Sequence, residues 1–205
     1  APHDFALTAS YYVFFTNRQD LDILPFIAGI KGPAECLRCS NAPVLVYLIP
    51  RPDGRRAADA IKVISTGRSF FQIHHATAHE DLDSGEVTVY TAAWPKITPG
   101  PFLADWGGVA PDFAKISMTM LFKTVLNIAR GTCEMEAVSG ESCIDHPHAH
   151  PHWETRAGCR YLYSSVANTA MQSGPPIGYQ RLDVTNGEQK TWWAPSRRFC
   201  EEPVV

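Results

Sequence analysis

The sequence has little net charge, no long apolar run and few cysteines, and each shortage removes a class of protein. Eighteen Lys and Arg against 21 Asp and Glu leave a net charge of −3, so no basic field is present to gather a nucleic acid backbone. No apolar stretch approaches the roughly 18 residues that cross a bilayer as a helix, and Ala1-Pro2-His3-Asp4 does not begin a signal peptide. Six cysteines in 205 residues are too few for a disulfide scaffold. Cys36-Leu-Arg-Cys39 has the spacing of a zinc half-site or a redox pair. No second pair or suitably spaced His accompanies it, and no βαβ pattern surrounds it, so ordinary reduced thiols are expected. An initiator Met is missing as well, and Pro203-Val204-Val205 stops as another apolar stretch starts. The chain is therefore expected to be an internal fragment.

What the sequence does have is a packed globular composition, 45% hydrophobic and 19% charged, and a dominant period of two. Residues 1–205 are read as a single domain or a piece of one. Tyr11–Phe15, Val44–Ile49 and Ile61–Ile64 are short β-rich runs bounded by turn residues. Phe70–His75 and Glu86–Tyr90 flank Asp83-Ser-Gly85, and Tyr179–Val184 and Gln189–Trp193 flank Asn186-Gly187, both hairpin signals. Phe113–Arg130 is the one rival for a helix. Its apolar residues Ile116, Met118, Met120, Phe122, Leu126 and Ile128 fall on even positions and favour a strand, although Leu121 and Val125 blur the pattern. Many short strands and no convincing helix point to an all-β sandwich, barrel or propeller. Arg51–Arg56 and Pro95–Pro101 read as loops. Leu21–Ile30 is apolar but neither alternating nor helical across its Pro and Gly. It is expected to be a buried connection, with an exposed patch for a lipid surface or apolar ligand as the alternative.

Eight histidines supply the candidate chemistry, because imidazole is the commonest protein metal ligand. They fall in three stretches. His3 heads a strand. Phe70-Phe-Gln-Ile-His-His-Ala-Thr-Ala-His-Glu-Asp81 carries three, with His74 and His75 on opposite faces by alternation. Asp145-His-Pro-His-Ala-His-Pro-His-Trp153 carries four, stiffened by Pro147 and Pro151. Such a tract can take up metal from solvent, whereas a catalytic centre needs ligands converging from separate elements and oriented by acceptors behind them.

Four stretches together resemble the carotenoid cleavage oxygenases. "FFQIHHATAHED" looks like that family's F-x-F-H-H-x-x-N-A-Y-E-E segment, and "HDFALTASYYVFF" its H-S-F-x-x-T-x-x-Y-x-V-F segment. "IDHPHAHPHWETRAGCRYLYSSVAN" is similar to E-F-P-x-I-N-x-x-Y-x-G-x-x-Y-x-Y-x-x-G. "YQRLDVTNGEQKTWWAPSRRFCEEPVV" is similar to the stretch ending in S-E-P-x-F. The four occur in the family's order across nearly the whole chain.

The resemblance implies several blades of a seven-bladed β-propeller with Fe(2+) on its axis, held by four histidines. His3 and His74 match two of these ligands, and the other two would lie outside residues 1–205. Asp145 falls where the family has a glutamate that orients a ligand, here His74. Glu202 falls on another such glutamate, serving a ligand outside the chain. The implied reaction is oxidative cleavage of a conjugated C=C bond of a carotenoid, apocarotenoid or stilbene with O2, in plastid or cytosol. With two of four ligands, these 205 residues by themselves are expected to bind iron poorly and to be inactive. Asp145 is one methylene shorter than the family's Glu, and His146, His148 and His150 replace its apolar residues. Two other readings stay open: a degenerate propeller serving as a binding scaffold, and a surface metal-binding module built on the His tract.

Overall fold

Alternation in the sequence becomes alternation of burial. In the strand Tyr11–Thr16, Tyr11, Val13 and Phe15 are buried while their neighbours are not, and in Leu45–Pro50 the same holds for Val46 and Leu48. The computed structural model describes residues 3–17, 19–97, 100–101 and 113–205. Ala1 and Pro2, and Thr98 and Pro99 of the expected Pro95–Pro101 loop, lie outside the described residues.

In chain order the strands are β1 (Ala6–Leu7), β2 (Tyr11–Thr16), β3 (Gln19–Leu21), β4 (Leu37–Cys39), β5 (Leu45–Pro50), β6 (Lys62–Ser65), β7 (Phe71–Asp81) and β8 (Glu86–Trp94). They continue with β9 (Gly100–Pro101), β10 (Met120–Asn127), β11 (Thr132–Ala137), β12 (Ser142–Ala149), β13 (Tyr161–Ala170), β14 (Pro176–Asp183) and β15 (Gln189–Trp193). The fold is all-β. Three four-stranded antiparallel sheets have the orders β1-β2-β5-β6, β11-β10-β8-β7 and β12-β13-β14-β15, and a three-stranded sheet has the order β3-β4-β9. Four antiparallel strands per sheet is the format of a propeller blade.

The middle sheet is covered on both faces. Val87, Val89, Phe122 and Leu126 pack with Val13, Phe15, Val46 and Leu48 of the first sheet. Tyr90, Ala92 and Leu121 pack with Ile144, Leu162, Val166 and Leu182 of the third. Leu121, which blurs the even-position alternation of β10, is therefore buried on the opposite face from Phe122. Both hairpins form as their turn residues require: β7 joins β8 through residues 82–85, and β14 joins β15 through Asn186-Gly187, with Gly187 at φ 76°.

Leu21–Ile30 departs from the buried connection expected of it. A short helix, α1 (Ile23–Ile27), forms there, followed by α2 (Pro33–Cys36). Pro25 is tolerated because it sits in the first turn, where its missing N–H has no helical partner to lose. Gly29, at φ 68°, ends the helix, and the Ile30 N–H returns to the Pro25 carbonyl at 2.9 Å. Leu24, Ile27 and Ile30 are 75%, 73% and 74% exposed, so this segment is an apolar surface. Cys36 and Cys39 are buried free thiols.

At the far end of β14, the buried Asp183 carboxylate takes two Arg160 contacts at 2.7 Å and the Thr185 hydroxyl at 2.6 Å. The Arg160 hydrogen bond first, then Thr185, hold its pKa down to about 2. Because the folded value lies below the ordinary ~3.9, the pair's contribution is present above about pH 4 and disappears as pH falls toward 2. Asp183→Asn should therefore flatten the acid limb of the stability–pH curve, read by urea unfolding between pH 7 and 2. Truncating the fully buried Leu126 to Ala should cost about 2–5 kcal/mol. Leu24→Ala on α1 should change stability by no more than about 0.5 kcal/mol.

Candidate metal centre

Three edge strands, one from each four-stranded sheet, meet at one cavity. β1, β7 and β12 are the edges of their sheets, and β7 packs between the other two. The cavity has a volume of about 640 Å³, within the usual range for small-molecule sites. His3, just before β1, His74 on β7, and His146 and His148 on β12 line it, and Glu202 reaches its wall from the C-terminal segment.

Local backbone irregularity aims these side chains. The β7–β8 ladder shifts register between Gln72 and His74 and again between His75 and Thr77, and such bulges re-aim side chains beside functional sites. His74 turns to the cavity. His75 turns away, its ring 5.1 Å from that of Phe15 and its Nδ1 2.8 Å from the Thr91 hydroxyl. Burial depresses the pKa of His75 to about 4, so it stays neutral. The β12–β13 ladder shifts register between Ser142 and Ile144 and again between Asp145 and His148, where Pro147 has no N–H for the ladder and His146 adopts φ 46°.

The shortest contact of the cluster joins β7 to β12. His74 Nδ1 lies 2.8 Å from Asp145 Oδ1. The same oxygen accepts the His146 backbone N–H at 2.7 Å, and the Asp145 carbonyl accepts the Ser165 hydroxyl at 3.0 Å. The shorter Asp side chain thus reaches the ring without a bridging group. Burial disfavours the charged imidazole of His74, but the hydrogen bond and charge of Asp145, with Asp4 and Glu202, outweigh it and raise the pKa. Burial likewise works against the Asp145 carboxylate, and His74 together with the His146 N–H overcomes it, so its pKa is lowered. With Nδ1–H donated to Asp145, His74 keeps Nε2 as its free nitrogen, the arrangement usual for a ligating histidine.

His3 stands with its ring 5.1 Å from that of His74. Its neighbour Asp4 fixes it there, because the Asp4 carboxylate accepts the His75 backbone N–H at 2.8 Å and its own Phe5 N–H at 2.7 Å. Sequence reasoning passed over Asp4, whose only signal is adjacency to His3. It also passed over His146, whose ring lies 4.6 Å from that of His74. In a regular strand His146 would face away from Asp145, and only the bulge and its positive φ bring both to one side. Among the described residues, His74, Asp145 and His146 are the one group of three or more His, Cys, Asp or Glu whose ligating atoms lie within 4.8 Å of one another.

The other sequence candidates are placed apart from this group. Glu202 Oε1 lies 2.7 Å from His148 Nε2, so within these residues its partner is a histidine of the tract. His150 and His152 are exposed, with His150 Nδ1 accepting the His152 N–H at 3.1 Å. The four tract histidines therefore do not converge on one point. Neutral imidazoles backed by a carboxylate suit a divalent transition metal such as iron, cobalt or zinc, so the residues present fit a metal site of that class.

Comparisons with known proteins agree with this architecture. The family profile described as RPE65, retinal pigment epithelial membrane protein, matches residues 1–205. The chain is 26% identical over 207 residues to the apocarotenoid-15,15'-oxygenase of Synechocystis sp., covering 98% of this chain and 39% of that protein. It is 24% identical over 236 residues to chloroplastic carotenoid cleavage dioxygenase 7 of Arabidopsis thaliana, covering 98% and 37%. A cobalt-substituted Synechocystis apocarotenoid oxygenase superposes with a TM-score of 0.83 at 25% identity, over 98% of this chain and 40% of that one. A chimera of that oxygenase with RPE65 gives 0.82 at 25%, with the same coverage. The chain thus spans about two fifths of the length of these relatives. On the match of all 205 residues, the chain belongs to the RPE65 family, the family of the carotenoid cleavage oxygenases.

Proposed function

We propose that this chain supplies part of the centre of an iron(II)-dependent dioxygenase that cleaves a conjugated C=C bond of a carotenoid, apocarotenoid or stilbene into two carbonyl products. One observation carries this reading: His3 and His74, from the edges of two sheets, meet in a cavity where Asp145 of a third sheet holds His74 by Nδ1 at 2.8 Å. In it, His3 and His74 are two of four ligating histidines, the others belonging to sequence outside residues 1–205. The three four-stranded sheets are blades of a seven-bladed ring, and residues 1–205 form part of that single domain. Iron(II) bound there would supply the one-electron chemistry that lets dioxygen react with a closed-shell alkene.

The chain's own residues have narrower tasks. Asp145 fixes the tautomer and direction of His74 and offsets metal charge without taking up a coordination position. Glu202 meets His148 here, but a carboxylate has about four acceptor sites, so it can serve a histidine outside the chain as well. Phe5, Leu7, Ala76 and Ala78 give the cavity an apolar side suited to a polyene. The apolar surface of α1 is read as a peripheral membrane contact from which an apolar substrate enters. No helix among the described residues is long and apolar enough to cross a membrane. The chloroplastic relative favours a plastid over the cytosol.

In the protein carrying the complete ring, His74→Ala should abolish both iron content and cleavage. Retention of both would leave the scaffold reading in its place. Asp145→Asn should weaken metal affinity by about 10–100-fold, measured by competition with a chelator. For α1, the double variant Leu24→Glu, Ile27→Glu should lose co-sedimentation with phospholipid vesicles and keep the unfolding midpoint of the parent.

A further inference from the structure

We infer that His146 is an additional ligand of this metal centre, a third imidazole contributed by these 205 residues. The inference rests on the metal-site reading above and deepens it, because neither the matched segments nor the pairing of His74 with Asp145 requires a histidine at this position.

Three independent features of β12 point the same way. The first is distance. Two imidazoles at adjacent positions around one ion, with metal–nitrogen bonds of about 2.1 Å, set their ring centroids roughly 4.5 Å apart. The His146 and His74 rings are 4.6 Å apart and tilted by 35°, and the His3 ring stands 5.1 Å from His74 on another side. His74 is thus flanked by two imidazoles at ligand-like spacing.

The second is the backbone. A β-strand residue preceding proline prefers extended angles, yet His146 sits at φ 46°. Sparsely populated conformations in non-glycine residues persist where the surroundings over-determine them, and they gather at ligand sites. Here the Asp145 carboxylate does this, since its Oδ1 accepts the His146 N–H and the His74 ring at once. The atom that orients one imidazole also turns the next residue toward the same point.

The third is nitrogen bookkeeping. His146 Nδ1 lies 3.4 Å from the Ser165 hydroxyl, which is in turn fixed on the Asp145 carbonyl. Nε2 is left free, as it is in His74. Both rings therefore present the same nitrogen and both lean on the Asp145–Ser165 pair. His148, two residues on, is instead tied to Glu202.

The consequence for the centre is coordination number. Residues outside the chain, His3 and His74 would hold the ion in the reading above, and His146 would add a further nitrogen donor to that set. His146 would therefore add to the retention of the ion by these residues. It also lets these 205 residues, with three imidazoles instead of two, hold a divalent ion by themselves.

The test is titration of the 205-residue chain with cobalt(II), read by its visible absorption and by the count of exchangeable, paramagnetically shifted imidazole N–H signals in the proton spectrum. The parent should bind one equivalent with three such signals. His146→Phe should weaken binding at least 10-fold and leave two signals, while a His148→Gln, His150→Gln, His152→Gln variant should match the parent. Thermal unfolding of each variant without metal reports on folding, and His146→Gln provides a second substitution of similar polarity. Parent-like binding and three signals in both His146 variants would overturn the inference. So would loss of binding only in the triple variant, which would put the ion on the outer tract. Loss in His74→Ala with no change in His146→Phe would remove His146 and leave the proposed centre standing. No change in either would remove both.

Discussion

The 2.8 Å contact between His74 Nδ1 and Asp145 Oδ1 ties together two sheets that also meet through apolar packing and the Ile144 N–H to Thr119 carbonyl hydrogen bond. It lies in a half-buried place, where burial works against the charged form of either partner and the contact with the other opposes that, raising the pKa of His74 and lowering that of Asp145. Loss of Asp145 would remove the acceptor of both the His74 ring and the His146 N–H. The direction of His74 and the conformation of His146 both depend on this carboxylate.

That contact exists because of how the sheets are layered. The middle sheet is apolar on both faces, so it can lie between two others, and its edge strand β7 then comes between β1 and β12. Each of these strands ends its sheet and contributes side chains to the cavity lining. Bulges in β7 and β12 sit at the cavity and turn His74 and His146 inward. Other ladders, such as β10–β11 and β2–β5, run without register shifts. Regular pairing builds much of the scaffold, and of the irregular places those at His74 and at Asp145–His148 lie beside the cavity, while others, such as Val166–Ala167, lie away from it.

The apolar exterior at α1 and the polar cavity floor give the molecule two different surfaces. Exposed Leu24, Ile27 and Ile30 have no packing partner among the described residues of the core clusters. The cavity, by contrast, combines imidazoles and carboxylates with a few alanine and phenylalanine side chains.

Much of the scaffold can be read directly from residues. Alternation in β2, β5 and β10 and the turn chemistry of Asp83-Ser-Gly85 and Asn186-Gly187 define strands and hairpins because both are local. Ordered segments around His3, His74, Asp145 and Glu202 point to a family, since each keeps its residue types in sequence. Other features are not local. Leu121 breaks the alternation of β10 because a second sheet packs against it, and Leu21–Ile30 reads as buried because hydropathy says nothing of whether anything packs over a segment. The 71-residue separation of His74 from Asp145 closes to hydrogen-bond length only through the stacking of three sheets. His146 shows the limit most plainly: strand periodicity puts it on the face opposite Asp145, and a single left-handed residue beside Pro147 reverses that. Sequence alone determined strands, turns and the residue types available for a metal. Tertiary structure decided which of eight histidines meet, because side-chain direction at a bulge is set by the ladder that the strand must fit and not by the strand's own period.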